Sequence, residues 1–385
     1  MSEWRECKLG EVIQTNVSSL SSTYPYSDIL YLDTGSITSG KIDSYQKIAI
    51  NEAPSRAKRL VKDKNIVYST VRPIQRHYGF IKNPPKNLVV STGFTVIETI
   101  NELADSLFIY YLLSADDVVE LLDSIAEGST SAYPSLKPSD IENLDVTLPP
   151  FPEQKAIAGV LSSLDDKIDL LHRQNKTLEA MAEALFRQWF VEEAGEGWEE
   201  KPLSSIADFL NGLACQKYPP RNDVDKLPVL KIRELSNGIS ENTDWITTDI
   251  NKSYIVENGD VIFAWSASLM VKIWDGEKCV LNQHLFKVTS EKYPKWFYFM
   301  WCKFHLNEFI AISETHATTM GHIKRGDLDN AMVLIPSDLE LKKMNNTIEP
   351  IIEKIITNYN QLRILEKLRN TLLPKLMSGE VRVET

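Results

Sequence analysis

Two stretches of this sequence carry the side chains best suited to chemistry, and the first is 69–78. Its residues, Ser69-Thr70-Val71-Arg72-Pro73-Ile74-Gln75-Arg76-His77-Tyr78, follow a strand-like run and include a proline. Arginine can make paired hydrogen bonds to guanine, and glutamine to adenine, in the major groove of DNA. A solvated hairpin tip would look the same. The two interpretations weigh about equally for one residue, but we favour DNA contact for the loop as a whole, with the candidates Ser69, Thr70, Arg72, Gln75, Arg76, His77 and Tyr78.

The second stretch is 128–137, and a counterpart lies at 315–325. Both combine hydroxyl groups, small residues and a lysine, which suit contacts to phosphate and to a groove. A capping loop is the alternative. Because the loop occurs twice with changed polar residues, we favour recognition, with the candidates Ser129, Thr130, Tyr133 and Lys137, and then His316, Thr318, Thr319, His322, Lys324 and Arg325.

The charge distribution favours a partly basic face. The chain has a net charge of −11, yet residues 41–90 hold eleven basic and three acidic side chains, and 91–150 hold one basic and eleven acidic ones. One half of this region could therefore face phosphate while the other stays away from it. We predict phosphate contacts at Arg56, Lys58 and Arg59, and weaker DNA contacts at Lys217, Arg221, Arg233, Trp265 and His284.

Catalytic chemistry finds little support in the motifs. Asn83-Pro84-Pro85-Lys86 resembles the loop of adenine methyltransferases, but a lysine stands where that loop has its stacking aromatic ring. Gly195-Glu196-Gly197 follows a helical pattern rather than a strand, so it does not fit a cofactor loop. We predict no catalytic residue, no metal ligand and no cofactor in this chain. A methyltransferase, or a coiled-coil adaptor without a DNA role, are the alternatives.

The bulk properties indicate a globular protein of two domains. No apolar run is long enough to span a bilayer, and the first residues do not resemble a secretion signal. The four cysteines, Cys7, Cys215, Cys279 and Cys302, form no metal-binding spacing, so we expect buried or free thiols and a cytoplasmic location.

The sequence is internally duplicated. Pro149 and Pro336 each end a strand-like run, and this offset of 187 residues holds without a gap over both flanks. It pairs Lys137 with Lys324, Asp140 with Asp327, Asn143 with Asn330, Glu153 with Glu340, Lys155 with Lys342, Ile168 with Ile355, Gln174 with Gln361 and Leu178 with Leu365. Upstream the match needs gaps, so the modules have diverged more than the helical segments.

The segments after the two prolines predict long coiled-coil helices. Their apolar positions alternate in steps of four and three, as in a coiled-coil seam. About 35 residues give each helix a length of roughly 50 Å. We expect the two seams to pair with each other, antiparallel, rather than each helix to pack only on its own module. The seam positions are Ile157, Leu161, Leu164, Ile168, Leu171, Asn175, Leu178, Ala182 and Leu185, and then Met344, Ile348, Ile351, Ile355, Asn358, Leu362, Leu365, Arg369 and Leu372.

Two further expectations concern the ends of these helices and a proline. Pro350 should kink the second helix or make it start later. The clusters at the helix ends are either local core or a repeated partner-binding surface, and the candidates for the latter are Phe186, Trp189, Phe190, Leu373, Leu376 and Met377.

The predicted fold class is α+β, with two similar mixed α/β modules separated by two long antiparallel coiled-coil helices in a pseudo-twofold repeat. The predicted domains are 1–150 and 196–336 for the modules, and 151–195 and 337–385 for the helices. Strands are expected over Asn65–Val71, Leu88–Ile97, Asp260–Trp265 and Leu285–Thr289, and helices over Leu107–Leu122 and Trp296–Phe309.

This arrangement resembles the specificity subunits of type I restriction-modification systems over essentially the whole chain. The residues that carry the resemblance are Ser69–Pro73, Ser91-Thr92-Gly93-Phe94, Gly128-Ser129-Thr130, Leu148-Pro149-Pro150, Glu153-Gln154-Lys155-Ala156-Ile157-Ala158 and Leu373–Glu380. The second copy departs from this pattern, because Leu341 stands where the first copy has Gln154.

The resemblance implies a division of labour. Each module would read one half of a split site in double-stranded DNA, and the helices would set the spacing and bind one modification subunit each. Those partners would carry S-adenosylmethionine and methylate adenine. A restriction subunit, with ATP and magnesium, would translocate and cleave the DNA.

Overall fold

A computed structural model describes residues 4–100, 102–128, 135–315 and 321–383. The chain divides into two compact units, of which unit 1 comprises Met1–Asp166 with Lys367–Thr385 and unit 2 comprises Lys167–Glu366. Each module therefore forms a unit together with segments of both long helices.

The elements from residue 4 to the end of the first long helix begin with a series of short strands. The strands are β1 Arg5–Lys8, β2 Ile13–Thr15, β3 Asp28–Leu32, β4 Ile37–Thr38, β5 Lys41–Ile42, β6 Gln46–Ala49, β7 Ala57–Leu60, β8 Ile66–Ser69, β9 Tyr78–Phe80, β10 Leu88–Ser91, β11 Phe94–Thr99 and β12 Asp145–Leu148. The helices are α1 Ser106–Ser114, α2 Asp116–Glu127, α3 Pro138–Glu142 and α4 Phe151–Arg187.

The rest of the chain, from β13 onward, contains a related but not identical series of elements. Its strands are β13 Glu199–Pro202, β14 Asp208–Asn211, β15 Lys226–Leu230, β16 Trp245–Thr247, β17 Ile255–Val256, β18 Val261–Ala264, β19 Met270–Ile273, β20 Cys279–Leu281, β21 Leu285–Thr289 and β22 Met332–Ile335. Its helices are α5 Ile232–Asn237, α6 Lys295–Phe304, α7 Leu306–Thr315, α8 Arg325–Asn330 and α9 Asp338–Met377.

The two units share one sheet topology. The described part of unit 1 has an antiparallel sheet in the order β2-β11-β8-β9 and a mixed sheet in the order β6-β3-β10-β7. Unit 2 has the sheets β14-β21-β18-β19 and β16-β15-β20-β17. The mixed sheet contains one parallel pair in each unit, β3 with β10 and β15 with β20. The duplication predicted from the sequence is thus confirmed in the modules as well.

Some predicted elements are divided in the structure. The predicted strand Leu88–Ile97 is two strands, β10 and β11, which lie in different sheets and are separated by Thr92 and Gly93. The predicted helix Leu107–Leu122 is α1 and α2, because Ala115 between them has an extended backbone. A continuous apolar run has the same appearance whether the chain continues straight or turns into the next layer, so periodicity alone could not find these breaks.

The long helices form the predicted seam. Every predicted seam position is buried or half-buried. In unit 2, Nδ2 of Asn358 donates a 2.8 Å hydrogen bond to Oδ1 of Asn175. In unit 1, Arg369 forms an ion pair with Asp165, with 3.3 Å between Nε and Oδ1. Also in unit 2, His172 lies 3.8 Å from Glu366, and further along α4 Glu179 accepts a 2.8 Å hydrogen bond from Tyr359. Earlier residues of α4 therefore face later residues of α9, and the antiparallel pairing is confirmed.

The helices also pack on the modules. We had expected the helices to pair with each other rather than to pack on the modules, but they do both. Ile157 and Leu161 of α4 share a core cluster with Phe108 of α1. Ile348 of α9 shares another with Trp296 of α6.

The ends of the long helices and Pro350 bear on the two remaining expectations. The predicted partner-binding surface is wrong for the buried side chains, because the chain's own core already covers them: Phe186, Phe190, Leu373, Leu376 and Met377. Trp189 is half-buried against the same core as Phe186. Helix α9 runs from Asp338 through Pro350, so a later start of this helix is also wrong.

The departure of the second copy at Leu341 has a local explanation. Gln154 is 1% exposed. It accepts a 2.8 Å hydrogen bond from the Asp105 N–H and donates one of 2.9 Å to the Pro149 carbonyl. Leu341 instead packs against the apolar core of unit 2. The exchange replaces a hydrogen-bonding role inside the chain by an apolar one.

The residues that the structure describes include neither a membrane-spanning helix nor a metal-binding cluster. None of the helices in that part of the chain is long and apolar enough to cross a membrane. The described His, Cys, Asp and Glu side chains form no group of three that could hold a metal ion.

Candidate nucleic-acid interface

In unit 1, backbone hydrogen bonds join the predicted loops into one surface. The Thr92 N–H donates to the Arg56 carbonyl at 2.8 Å, and the Thr70 N–H donates to the Gly93 carbonyl at 2.8 Å. The Leu136 N–H then donates to the Thr70 carbonyl at 2.7 Å. The basic strand β7, the turn after β10 and the two candidate loops therefore meet at Thr70. We call this meeting point junction 1, defined by Thr70, Gly93 and Ser135, which pairs with Val71 next to Thr70.

The loop after β8 is held in a strained conformation. Arg72 and Arg76 lie on either side of a short 3-10 turn, and both have left-handed backbones, with φ of 46° and 58°. Such a backbone costs an L-residue about 1 kcal/mol, so surrounding contacts must maintain it. The Ile74 N–H donates a 3.0 Å hydrogen bond to Oδ1 of Asp123. Arg76 forms an ion pair of 2.8 Å with Asp116.

Both of these carboxylates belong to α2 in the acidic segment 91–150. From the charge distribution we expected that segment to stay away from DNA, but part of it positions the candidate DNA-binding loop. Burial alone would lower the pKa of Arg76, but its hydrogen bonds with Asp116 and Tyr78 outweigh burial and raise that pKa above its usual value. The Arg76 guanidinium is therefore held in place by Asp116 of α2.

The loop residues divide into supporting and exposed ones. Ser69 is 2% exposed and Tyr78 is 4% exposed, and the Tyr78 ring stacks on Tyr68 at 5.5 Å. His77 donates from Nδ1 to the Ile37 carbonyl at 2.6 Å. These side chains support the loop from within. The prediction that Ser69 and Tyr78 contact DNA directly is therefore wrong, because both side chains are buried. Arg72 and Gln75 are exposed, and their side chains have no hydrogen-bond or ion-pair partner among the described residues.

The basic side chains near junction 1 differ in their exposure and in whether they form ion pairs. Arg56 and Lys58 are exposed on and beside the edge strand β7, and Arg59 is half-buried. Lys137 is exposed at the start of α3, where its N–H donates a 2.7 Å hydrogen bond to Asp140. Other bases of the segment 41–90 are neutralised by ion pairs, namely Lys47 with Asp28, Lys62 with Glu98 and Lys82 with Asp166.

Unit 2 contains the same junction with other side chains. The Trp265 N–H donates to the His284 carbonyl at 3.4 Å, and the Ile323 N–H donates to the Trp265 carbonyl at 3.1 Å. Ser266 pairs with His322 as Val71 pairs with Ser135. Trp265, His284 and His322 therefore form junction 2 and occupy the places of Thr70, Gly93 and Ser135.

The side chains of junction 2 form a polar and aromatic cluster. The Trp265 ring stacks on Phe286 at 5.6 Å, and its Nε1 donates a 3.1 Å hydrogen bond to Oδ1 of Asn211. His284 Nδ1 lies 3.1 Å from Ser266 Oγ, and its Nε2 lies 3.3 Å from Gln283 Nε2. Lys324 and Arg325 are exposed at the start of α8, as Lys137 is at the start of α3.

A family model described as the type I restriction modification DNA specificity domain matches residues 1–180 and again residues 195–370. The chain belongs to this family. The two matches contain one junction each, so both copies of the specificity domain carry the surface described above.

Relatives and a solved structure agree with the assignment to the specificity family. The chain is 30% identical over 339 residues to the type I restriction enzyme MjaIX specificity subunit of Methanocaldococcus jannaschii, covering 81% of this chain and 74% of that protein. It is 22% identical to the HindI specificity subunit of Haemophilus influenzae, covering 99% of this chain and all of that one. The type I restriction-modification S subunit from M. genitalium has the same fold, with a TM-score of 0.59 at 16% identity, over 97% of this chain and 96% of that structure.

The weaker candidates of this specificity subunit in unit 2 have mixed placements. The prediction of a DNA contact at Arg233 is wrong, because its guanidinium has partners within the chain: it lies 2.6 Å from the buried Glu234 carboxylate and donates to the Asn242 carbonyl. Arg221 is exposed and forms a 2.9 Å ion pair with Asp249, while Lys217 is exposed. The candidates that lie outside the described residues are Ser129, Thr130, Tyr133, His316, Thr318 and Thr319.

Ser266 and Gln283, which contact His284 in junction 2, were not among the residues predicted from the sequence. Leu136 and Ile323 keep the offset of 187 residues, whereas Thr70 and Trp265 are 195 residues apart. A gapped alignment of the strands β8 and β18 would have placed Trp265 opposite Thr70 and revealed its neighbour Ser266. Gln283 could have been found from the match between β11 and β21, because it lies two residues before β21 as Thr92 lies two residues before β11.

Proposed function

We propose that this chain is the DNA-reading subunit of a type I restriction-modification complex, and that each junction reads one half of a two-part site. The observation that carries this proposal is the repeated backbone platform with exchanged side chains. Two equal platforms with unlike side chains suit two unlike half-sites, because base identity is read by side chains while the backbone only places them.

The side chains divide by role at each junction. Exposed cations at the edges, such as Arg56, Lys58 and Lys137 in unit 1, suit phosphate contact and fix the register on the duplex. Arg72 and Gln75 suit base contact, since they are exposed and have no partner among the described residues. In unit 2 the corresponding sets are Lys324 with Arg325, and the cluster of junction 2.

Methylation and cleavage belong to partner subunits in this proposal, and the chain itself carries no catalytic group. Two modification subunits, which bring S-adenosylmethionine, would dock on the long helices, and a restriction subunit would bring ATP and magnesium. The paired segments of α4 and α9 support such a rigid docking site, and the length of the helices would set a spacer on the order of one DNA turn between the half-sites. The cytoplasmic location stays a prediction.

The test is a genome-wide map of methylated adenines with and without this gene. The expected result is that one two-part motif with an unspecified spacer loses its methylation. An unchanged map would contradict the proposed function. The alternatives have their own signatures. A methyltransferase would bind radiolabelled S-adenosylmethionine as an isolated chain. An adaptor would add no DNA binding of its own in a salt titration of the complex, whereas a DNA reader gives a steep decrease of affinity with salt.

A further inference from the structure

We propose that Gln283 is a specificity-determining residue of unit 2 that selects adenine, and that His284 and Ser266 are its positioning residues. The inference rests on the proposed function of the junctions and deepens it, since it names the base and the atoms that read it. It is carried by a continuous hydrogen-bond relay from the core of unit 2 to its surface.

The relay fixes the tautomer of His284. The nitrogen of the Gln283 amide can only donate, so His284 Nε2, 3.3 Å away, accepts its hydrogen bond. The imidazole proton then lies on Nδ1 and is donated to Ser266 Oγ at 3.1 Å. Ser266 is 4% exposed and its backbone pairs with His322. The imidazole is thereby held at both nitrogens and in turn fixes the plane of the Gln283 amide.

The remaining hydrogen-bonding groups of Gln283 match adenine. An amide has two N–H donors and one acceptor oxygen, and His284 uses one donor. The second N–H and Oε1 have no partner among the described residues, and the side chain is half-exposed. Adenine offers the N7 acceptor and the N6 donor in the major groove, which complement this pair. Guanine offers two acceptors there, so one of them would meet Oε1 without a proton between them.

The backbone of Gln283 is fixed as well. Its N–H donates to the Leu213 carbonyl at 2.8 Å, and the Leu213 N–H donates to the Leu281 carbonyl at 2.9 Å. Gly212 allows this approach, because a Cβ there would lie 2.2 Å from the Asn282 carbonyl oxygen. A reader held by backbone and side-chain contacts discriminates better than a mobile one, since less ordering remains for the bound state. In unit 1, Thr92 occupies the place of Gln283 and Gly93 that of His284, so this relay belongs to unit 2.

The experiment uses the complete complex of this chain with its modification subunits. Methylation rates are measured on duplexes that carry each of the four bases at every position of the recognised motif. With Gln283→Ala, the preference for adenine at one position should fall roughly ten- to hundredfold, with the other half-site unaffected. Gln283→Glu should move the preference at that position toward cytosine, because a carboxylate accepts from cytosine N4.

The positioning role of His284 is tested by a matched pair of variants. His284→Gln keeps an acceptor near the position of Nε2, and should retain most of the adenine preference. His284→Asn is shorter and lacks that acceptor, and should lose the preference while thermal unfolding of the two variants stays equal.

The outcomes separate this inference from the proposed function. Equal base preference in wild-type and Gln283→Ala complexes would overturn the inference even if deletion of the gene abolishes methylation. A preference that survives in His284→Asn would overturn the relay. If deletion of the gene left the methylation map unchanged, the proposed function itself would fail.

Discussion

Junctions 1 and 2 share their backbone hydrogen bonds but none of the three side chains at their centre. Where junction 1 has Thr70, Gly93 and Ser135, junction 2 has Trp265, His284 and His322. Backbone groups bond regardless of residue type, so the platform persists while its side chains change. A change of specificity then requires no change of fold.

The two junctions also differ in the length of the loop that carries the candidate DNA contacts. Eight residues, 70–77, connect β8 and β9 in unit 1, and they hold a strained turn supported by α2. Five residues, 265–269, connect β18 and β19 in unit 2. Unit 1 therefore presents long cationic and amide side chains on an eight-residue loop, whereas unit 2 presents a hydrogen-bonded aromatic cluster beside a five-residue loop. We expect the two units to fail in different ways when altered.

The largest effect is expected from Gly212→Ala in unit 2. The new Cβ would meet the backbone of Asn282, which cannot rotate away as a side chain could. We expect a loss of about 1–3 kcal/mol in the free energy of unfolding and more than a hundredfold loss of methylation, because both half-sites are required. Denaturant unfolding and methylation assays of the complex measure both.

The control for this variant is Gly159→Ala in α4, where a Cβ has open space. It should raise the free energy of unfolding by about 0.5–1 kcal/mol, since glycine is a poor helix former. If both glycine variants behaved alike, the close approach at Gly212 would have no role in junction 2.

A smaller and more selective effect is expected from Arg72→Gly in unit 1. Glycine adopts the left-handed backbone without strain, so the loop keeps its shape and the free energy of unfolding stays equal or rises by up to about 1 kcal/mol. The guanidinium is lost, and discrimination at one base of one half-site should fall roughly ten- to hundredfold. Competition binding with substituted duplexes measures this loss.

Arg173→Ala, which removes an exposed arginine paired with Asp169 on α4, is the matched control. It should leave discrimination unchanged. An equal effect of both arginine variants would show a general charge effect rather than base reading by Arg72.

The smallest effects, and equal ones, are expected from Lys137→Ala and Lys324→Ala. These lysines start corresponding helices, α3 and α8, at the two junctions. Each variant should reduce the slope of log affinity against log salt concentration by about 1, without changing base preference. Lys62→Ala, whose lysine is paired with Glu98, should leave the slope unchanged. Unequal slopes for the first two variants would show that the junctions do not contact phosphate equivalently.

The sequence predicted the helices better than the junctions, for a physical reason. A seam residue such as Asn175 or Leu161 is constrained through its side chain, so the constraint is visible in the residue type and its spacing. The junctions are held mainly by backbone hydrogen bonds, which almost any residue type can make, so residue type shows little of them beyond a glycine such as Gly212. That is why the repeat is clear at the helices and faint in the modules.

Contacts between residues that lie far apart in the sequence could not be predicted from it either. The tie of Arg76 to Asp116 joins a basic loop to an acidic helix that the charge distribution had assigned to the opposite side. The burial of Ser69 and Tyr78 depends on the turn that follows β8, which periodicity does not describe. Arg233 could have been rejected as a DNA-binding candidate from the sequence alone if the adjacent Glu234 had been predicted to be buried, because a buried carboxylate needs a cationic partner.

The most direct test of two separate reading junctions is site-specific photo-crosslinking in the complete complex on DNA that contains its motif. A photoreactive residue is placed at position 72 in one sample and at position 265 in another, and the attached nucleotides are mapped. We predict that position 72 attaches to one half-site and position 265 to the other. Attachment of both positions to the same half-site, or to DNA outside the motif, would contradict the account.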